Sequence, residues 1–340
     1  MNKMNKVKST MLIGIYLLLL LLAQRSVVKA SETSSSMINI DYSTKETLYN
    51  YNDEVCAYYY KNCQKGYAIV DALNNELIEF SENNDDTNIT ECEGKKYYFG
   101  IFEYYEKKNN KYRSNVNNKL INSLKAKIIS EDYEEVRKQA SSGKFLDGTK
   151  YSEPIGKVKL SSKKSLPYTT IAVDNNKSGT CGSTATTILL LYYYDHISKS
   201  YVSKSNRTNY DYLTNDLKSC IEPKGGGTTY STLKKGINKY LGSMGLKKNC
   251  DYITNMNVLS SPFTKIKSYI NNKKPCIVGL KQSTPKYKAH WVVATGYATY
   301  NHIQPDSTYT YAKFVQVNDG WGNKGVWINY KYTDGVVYLK

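Results

Sequence analysis

The segment from Cys181 to His196 constrains the fold of this 340-residue chain more than any other part of it. It contains no proline, and its apolar residues show the i, i+3, i+4, i+7 spacing of a helix, namely Ala185, Ile188, Leu189 and Tyr192. The spacing predicts a buried helix that begins at or just before Cys181. A thiol at a helix N-terminus is stabilised as the thiolate, which would suit a nucleophile. A buried structural cysteine would also be compatible with this helix alone.

Two predicted strands downstream carry groups that would complete a thiol-based site. Residues 288–297 have the pattern of a strand with His290 near its start. Residues 314–322 have the pattern of the next strand and its turn, which contains Asn318. A nucleophile, a base and an amide that orients the base therefore occur in the order Cys, His, Asn.

The other two histidines are weaker candidates for the base. His196 lies 15 residues along the Cys181 helix, which is about 22 Å at ~1.5 Å per residue. His302 follows the predicted strand in an irregular stretch and stays a second candidate. We therefore expect His290 to be the base.

Three motifs within residues 165–340 carry a resemblance to a known family: Cys181-Gly-Ser-Thr-Ala-Thr, His290-Trp-Val-Val and Asn318-Asp-Gly-Trp-Gly. In this order they resemble the papain-like cysteine peptidases, most closely the secreted bacterial streptopain-like group and the bacteriocin-processing peptidase domains. The resemblance implies an α+β, papain-like two-lobe fold, with a helical lobe led by the cysteine helix and an antiparallel β lobe carrying His290. It also implies that a small α+β pro-domain precedes the two lobes.

The resemblance further implies an oxyanion hole made by the nucleophile's own N–H and a side-chain amide just before it. The family usually has Gln at that position. Here the stretch contains Asn175 and Asn176, and both stay candidates for the role.

Two residues are candidates for the third catalytic residue, the one that orients His290. The resemblance favours Asn318 as the residue that orients His290, with Asp319 as the alternative because carboxylates do this in the bacteriocin-processing relatives. Trp321 is expected to shield that hydrogen bond from water.

Composition excludes several other classes of protein. The net charge of +17 comes almost wholly from lysine, and the chain has four arginines, so we expect no nucleic-acid partner. Three histidines, no HExxH and no paired CxxC argue against a metal site, and no motif calls for a cofactor.

The N-terminus predicts export. Lys3, Lys6 and Lys8 precede an apolar stretch from Met11 to Leu22, and a small-residue pattern ends at Ala30. We interpret residues 1–30 as a signal peptide, since about 20 apolar residues are needed to span a bilayer. The protein is therefore expected to be secreted or extracellular.

The rest of the chain divides into halves of opposite charge. Residues 31–155 hold 21 acidic and 16 basic residues, whereas residues 156–340 hold 9 acidic and 26 basic residues. We interpret 31–155 as an acidic domain, a propeptide that inhibits the peptidase domain at 156–340 within the same chain. An independent adhesive or wall-binding module is the alternative. Residues 150–168 are expected to form an exposed connector, and maturation is expected to cleave the chain between about Asp147 and Pro167.

Three functions are consistent with these observations. The favoured one is a secreted cysteine endopeptidase, made as a zymogen, that hydrolyses protein or peptide substrates through Cys181 and His290. A cysteine amidase or peptidase that acts on cell-wall peptidoglycan would suit a basic domain in contact with an anionic cell surface. A non-catalytic papain-like binding protein is the third.

Overall fold

The structure, a computed structural model, describes residues 40–340 except for 63–64, 83–88, 90–93, 142–157, 172, 174–179, 223–227, 248, 256–260, 282–289 and 304–308. The predicted signal peptide and residues 150–157 of the predicted connector lie outside the described residues. In the described part of the chain, no helix is long and apolar enough to cross a membrane.

The described chain is mixed α and β, as predicted, with fifteen strands and six α-helices. The strands are β1 (Ile40–Tyr49), β2 (Val55–Asn62), β3 (Tyr67–Asp71), β4 (Leu77–Ser81), β5 (Lys96–Tyr98), β6 (Tyr104–Lys108), β7 (Lys111–Ser114), β8 (Leu120–Asn122), β9 (Val158–Ser165), β10 (Cys250–Thr254), β11 (Cys276–Leu280), β12 (Trp291–Ile303), β13 (Tyr309–Asn318), β14 (Lys324–Asn329) and β15 (Thr333–Leu339). The helices are α1 (Ser123–Ser141), α2 (Cys181–His196), α3 (Lys204–Thr208), α4 (Tyr210–Ile221), α5 (Tyr230–Ser243) and α6 (Pro262–Asn271).

All strands belong to one sheet, in the order β10-β15-β11-β12-β13-β14-β4-β3-β2-β1-β5-β6-β7-β8, with β9 beside β12. Every pairing is antiparallel except that of β1 with β5. Successive side chains of β12 point to opposite faces of the sheet, so they pack into two different hydrophobic cores. Trp291 and Val293 pack with helices α2, α4 and α5, whereas Val292 packs on the opposite face with α6 and with residues of the N-terminal half.

The Lys/Ser-rich run at residues 157–165 differs from the expected connector. Residues 158–165 form β9, which pairs antiparallel with residues 296–302 of β12. β12 is long enough to hold β11 against its first residues and β9 against its last. A polar and basic sequence forms a strand here because much of its side-chain surface faces solvent.

The two halves of the chain form one continuous sheet. β4 pairs with β14 through Val326 opposite Ser81 and Trp327 opposite Phe80. The Phe80 and Trp327 rings stack with centroids 6.0 Å apart. The acidic N-terminal half therefore shares its hydrogen bonds and its core with the basic C-terminal half.

A buried ion pair lies at this junction. Lys331 Nζ and Glu76 Oε1 are 2.6 Å apart, and both side chains are at most 3% exposed. Asn329 also donates to Glu76 Oε1 at 3.1 Å. Burial raises the pKa of Glu76, and the ammonium of Lys331 opposes that rise. Because the two charges come from different halves of the chain, separation of the halves would leave each of them without this partner, which is energetically unfavourable.

Disulfides do not join the halves. All four cysteines of residues 156–340 are described, and none of them forms a disulfide; the same holds for Cys56 in the first half. Cys63 and Cys92 lie outside the described residues. Each half has three cysteines once Cys181 is set aside, so without a bridge between the halves the cysteines cannot all pair.

We predict that Lys331→Met destabilises the protein by about 3–5 kcal/mol, because it leaves the Glu76 carboxylate buried without its cation. Urea unfolding would measure the loss. Lys127→Met is the matched control, since Lys127 pairs with Glu131 on the exposed face of α1 and should cost under ~0.5 kcal/mol. Equal losses of unfolding free energy in the two variants would show that the buried Lys331–Glu76 pair stabilises the protein no more than an exposed pair does.

Candidate active site

Helix α2 begins at Cys181, the residue at which the sequence predicts it to begin. Residues 182–193 of the helix are all buried, so neighbouring residues surround the helix just after Cys181. Gly182 permits the close packing there, because a Cβ at this position would lie 2.5 Å from Thr228 Cγ2 and 3.0 Å from Glu222 Oε1. The helix N-terminus is therefore fixed against the segments that follow α4 and precede α5.

His290 lies immediately before β12, and one of its nitrogens has a defined partner. Its Nε2 is 2.8 Å from the backbone carbonyl oxygen of Asp319. A carbonyl oxygen only accepts, so Nε2 carries the proton and Nδ1 is the nitrogen left to exchange a proton. The imidazole also stacks on Trp321, with ring centroids 3.9 Å apart and planes 2° apart. The contact with Trp321 agrees with the expected shielding role.

The Asp319 carboxylate closes the turn that carries these groups. Its Oδ1 accepts from the N–H groups of Trp321 (2.7 Å) and Asn323 (3.1 Å), and its Oδ2 accepts from the Asn323 side chain (2.8 Å). Asp319 thus positions His290 through its backbone carbonyl, while its carboxylate holds the turn that places Trp321 on the imidazole.

The Asn318 side chain differs from the expectation that it orients His290. Its amide nitrogen donates to Thr170 Oγ1 and to the Ile171 carbonyl, both at 3.0 Å. Its Oδ1 accepts from the Gly320 N–H at 3.1 Å. The amide therefore ties the turn to the segment that leads toward α2, because that segment offers two acceptors to its two N–H donors.

Cys181 and His290 are brought together at the start of β12. The backbone N–H of Trp291, the residue after His290, is a hydrogen-bond donor toward the Cys181 sulfur. Cys181 is only partly exposed, and burial raises the pKa of its thiol to about 11. Burial likewise lowers the pKa of the His290 imidazole to about 4. The expected lowering of the thiol pKa at the helix N-terminus is thus outweighed by burial, which favours the neutral form of both the thiol and the imidazole.

Glu222 is a residue of this site that sequence reasoning missed. It follows α4, is 3% exposed, and accepts from Ser183 Oγ at 2.8 Å. Its charge raises the pKa of the Cys181 thiol, because a carboxylate beside the helix N-terminus opposes a second negative charge there. No sequence signal links it to Cys181, since 41 positions separate the two residues.

Phe102 is a second missed residue, and it comes from the N-terminal half. It lies in the turn between β5 and β6, and its ring meets His290 at 6.4 Å and Trp321 at 6.5 Å between centroids, edge to face in both cases. Glu79 of β4 accepts a hydrogen bond from the Phe102 N–H and another from the Tyr104 hydroxyl. The acidic half therefore reaches the His290 imidazole through a residue that Glu79 helps to hold.

The two asparagines predicted for the oxyanion hole, Asn175 and Asn176, lie outside the described residues. In the described part of the chain, no group of three or more His, Cys, Asp or Glu side chains is arranged to hold a metal ion.

One comparison with known proteins identifies a family for the C-terminal half of the chain. The model of the Peptidase_C39 like family matches residues 157–338, slightly more than half of the chain, so the chain belongs to this family. The membership supports a cysteine peptidase, and thus a hydrolase. No curated protein and no solved structure gives a significant match. The matched range contains Cys181, His290 and Asp319.

We predict that Glu222→Gln lowers the pKa of the Cys181 thiol and accelerates its alkylation by iodoacetamide at pH 8. Below the thiol pKa each half-unit decrease multiplies the thiolate fraction by about three, so at least a threefold increase is expected. Asp216→Asn, at an exposed position of α4, is the matched control and should leave the rate unchanged. An unaltered rate in Glu222→Gln would mean that Glu222 does not influence the thiol.

A further prediction concerns the pH dependence of stability. Burial raises the pKa of Glu79 to about 8, so the folded state binds its proton more tightly than the unfolded state does. The resulting stabilisation is complete below pH 4.5 and is lost as the pH rises through 8. Glu79→Gln cannot ionise, so its unfolding free energy should fall by several kcal/mol less than that of the wild type between pH 5 and 9, at ~1.4 kcal/mol per pKa unit.

Nearby groups do not change the sign of this effect. Asp319, the charged group that acts on Glu79, raises the pKa further, whereas the hydroxyls of Tyr98 and Tyr104 lower it. Chemical unfolding at each pH measures the difference, with Glu135→Gln on the exposed face of α1 as control. Parallel pH curves for wild type and Glu79→Gln would contradict the prediction.

Proposed function

We propose that the protein is a secreted cysteine endopeptidase with a papain-like arrangement of two lobes. Helices α2, α4 and α5 form the helical lobe, strands β11–β15 form the β lobe, and the site lies where the start of α2 meets the start of β12. The observation that carries the proposal is the pairing of the Cys181 sulfur with the Trp291 N–H beside an imidazole whose Nε2 is held by the Asp319 carbonyl.

The proposed reaction begins when the Cys181 thiol proton moves to Nδ1 of His290. The Cys181 sulfur attacks the peptide carbonyl carbon, and the carbonyl oxygen becomes an oxyanion. The Cys181 N–H and the side-chain amide of Asn175 or Asn176 bind that oxygen. The carbon–nitrogen bond then breaks, and Nδ1 returns its proton to the departing amine.

The second half of the reaction regenerates the enzyme. A water molecule gives a proton to Nδ1 and attacks the thioester carbonyl carbon. The carbon–sulfur bond breaks, the acid is released, and the thiol recovers its proton. In both stages of the reaction Nε2 keeps its hydrogen bond to the Asp319 carbonyl, so the imidazole stays aligned when it becomes an imidazolium.

We further propose that the intact chain is a zymogen whose residues 31–155 inhibit the site. The contact of Phe102 with His290 and Trp321 supports this, because the Phe102 ring covers part of the catalytic imidazole. A neutral thiol–imidazole pair is poorly nucleophilic, and hydration of the site would favour the ion pair. Maturation is proposed to cleave the chain between Asp147 and Lys157, since residues 158–165 are hydrogen-bonded in β9.

A second candidate function uses the same chemistry on cell-wall peptidoglycan. Residues 156–340 have more basic than acidic residues, and this favours the cell-wall function because a basic domain would be attracted to an anionic surface. Loss of turbidity of a cell-wall suspension would support the amidase, whereas clearing of casein in a gel would support the endopeptidase.

We predict that Cys181→Ala abolishes hydrolysis and that His290→Ala lowers kcat by at least about a thousandfold, since each removes a reacting group. Asn318→Ala should cost less, because Asn318 binds Thr170 and Ile171 instead of the imidazole. Processed protein assayed on casein gives the measurement. Cys220→Ala, which removes another partly exposed thiol, is the control. Hydrolysis that survives Cys181→Ala would overturn the proposed function.

A further inference from the structure

Phe102 adopts a backbone conformation that is unusual for a large side chain. Its φ is 63°, in the left-handed region, although the residue is not glycine. Two hydrogen bonds close the turn around it, from Phe99 N–H to the Glu103 carbonyl and from Glu103 N–H to the Gly100 carbonyl, both at 2.9 Å. Such strain persists only where surrounding structure enforces it, and it concentrates at functional sites.

The ring of Phe102 lies beside a stacked pair of aromatic rings. His290 and Trp321 stack with centroids 3.9 Å apart, and Phe102 contacts both rings at interplanar angles of 76° and 74°. Edge-to-face contacts of this kind are favourable for aromatic rings. Phe102 is 3% exposed, so its ring fills this space rather than lying across its entrance.

The chemistry of the reaction determines which part of a substrate would occupy the same space. His290 must give its proton to the departing amine. The residue that carries this amine therefore lies beside the imidazole during bond cleavage. Phe102 and that substrate residue cannot occupy this position together.

We propose that Phe102 takes the place of the side chain on the leaving-group side of the scissile bond, and that the enzyme prefers substrates with an aromatic residue there. This inference rests on the proposed function, because it assigns a subsite to the same catalytic pair. It identifies the substrate class as polypeptides with Phe or a similar ring directly after the cleaved bond. It also identifies the side chain by which the N-terminal half blocks the site.

The first test uses Phe102→Ala in the full chain and follows alkylation of Cys181 by iodoacetamide at pH 8. Removal of the ring should hydrate the site and raise the rate at least about tenfold, as for a one-unit fall in the thiol pKa. Phe99→Ala is the matched control, because Phe99 lies in the same turn but packs against Tyr97, Tyr105 and Tyr112. Phe102→Gly provides a second variant, since glycine tolerates the left-handed backbone and offsets part of the lost packing.

The second test measures the subsite without hydrolysis. In the Phe102→Ala and Phe102→Gly chains, the dipeptide amide Phe-Gly-NH2 should slow alkylation of Cys181 at a concentration at least about tenfold lower than Ala-Gly-NH2 does, the factor expected for an aromatic side chain in an apolar subsite. Two quenched peptides that differ only in Phe or Ala after the scissile bond should differ in kcat/KM in the same sense.

The outcomes separate the two proposals. Equal protection by both dipeptides, or alkylation of wild type as fast as that of the Phe102 variants, would overturn the Phe102 inference even if peptides are cleaved. Selective protection by Phe-Gly-NH2 without cleavage of any peptide or protein would support the subsite and count against the endopeptidase function.

Discussion

The rest of the structure depends on the pairing of β4 with β14. This junction merges two halves of opposite charge into one sheet, and the buried pair of Glu76 and Lys331 reinforces it. Because β4 carries Glu79, and Glu79 accepts from the Phe102 N–H, the register of this junction also decides what lies against the catalytic imidazole. The β4–β14 pairing therefore both attaches the N-terminal half to the C-terminal half and places Phe102 against the site.

This arrangement has an energetic consequence for activation. Cleavage of the connector alone would leave the shared hydrogen bonds and core in place, so the halves would stay associated in native buffer. In this account the intact chain is inactive because its site is buried. Burial raises the pKa of Cys181 and lowers that of His290, so the ion pair does not form. Displacement of the turn that carries Phe102, which the cut makes possible, would be the step that lets the ion pair form.

The sequence predicts the elements whose signals are local. Apolar spacing identifies helix α2 and its start at Cys181, and the strand pattern that begins at residue 314 identifies the end of β13. The placement of His290 at the start of a strand follows from the same reasoning. β9 was not predicted, because a basic and polar run forms a strand only when a long partner such as β12 is available.

The groups that modify the site depend on contacts between distant parts of the chain. Asn318 was expected to orient His290, but two closer acceptors, Thr170 Oγ1 and the Ile171 carbonyl, take its amide donors. Glu222 reaches the helix N-terminus from the end of α4, and Phe102 reaches the imidazole only through the β4–β14 register. No spacing within one segment could have identified these residues.

The most direct test of the account is mass spectrometry after the protein is incubated with a thiol-directed inhibitor carrying a peptide. The experiment reports the labelled cysteine together with the N-terminus of each labelled chain. The account predicts label on Cys181 alone, on chains whose N-terminus lies between Asp147 and Lys157, with Cys220 unlabelled although it is also partly exposed. Label on Cys220 instead of Cys181, or equal labelling of Cys181 in uncleaved and cleaved chains, would contradict it.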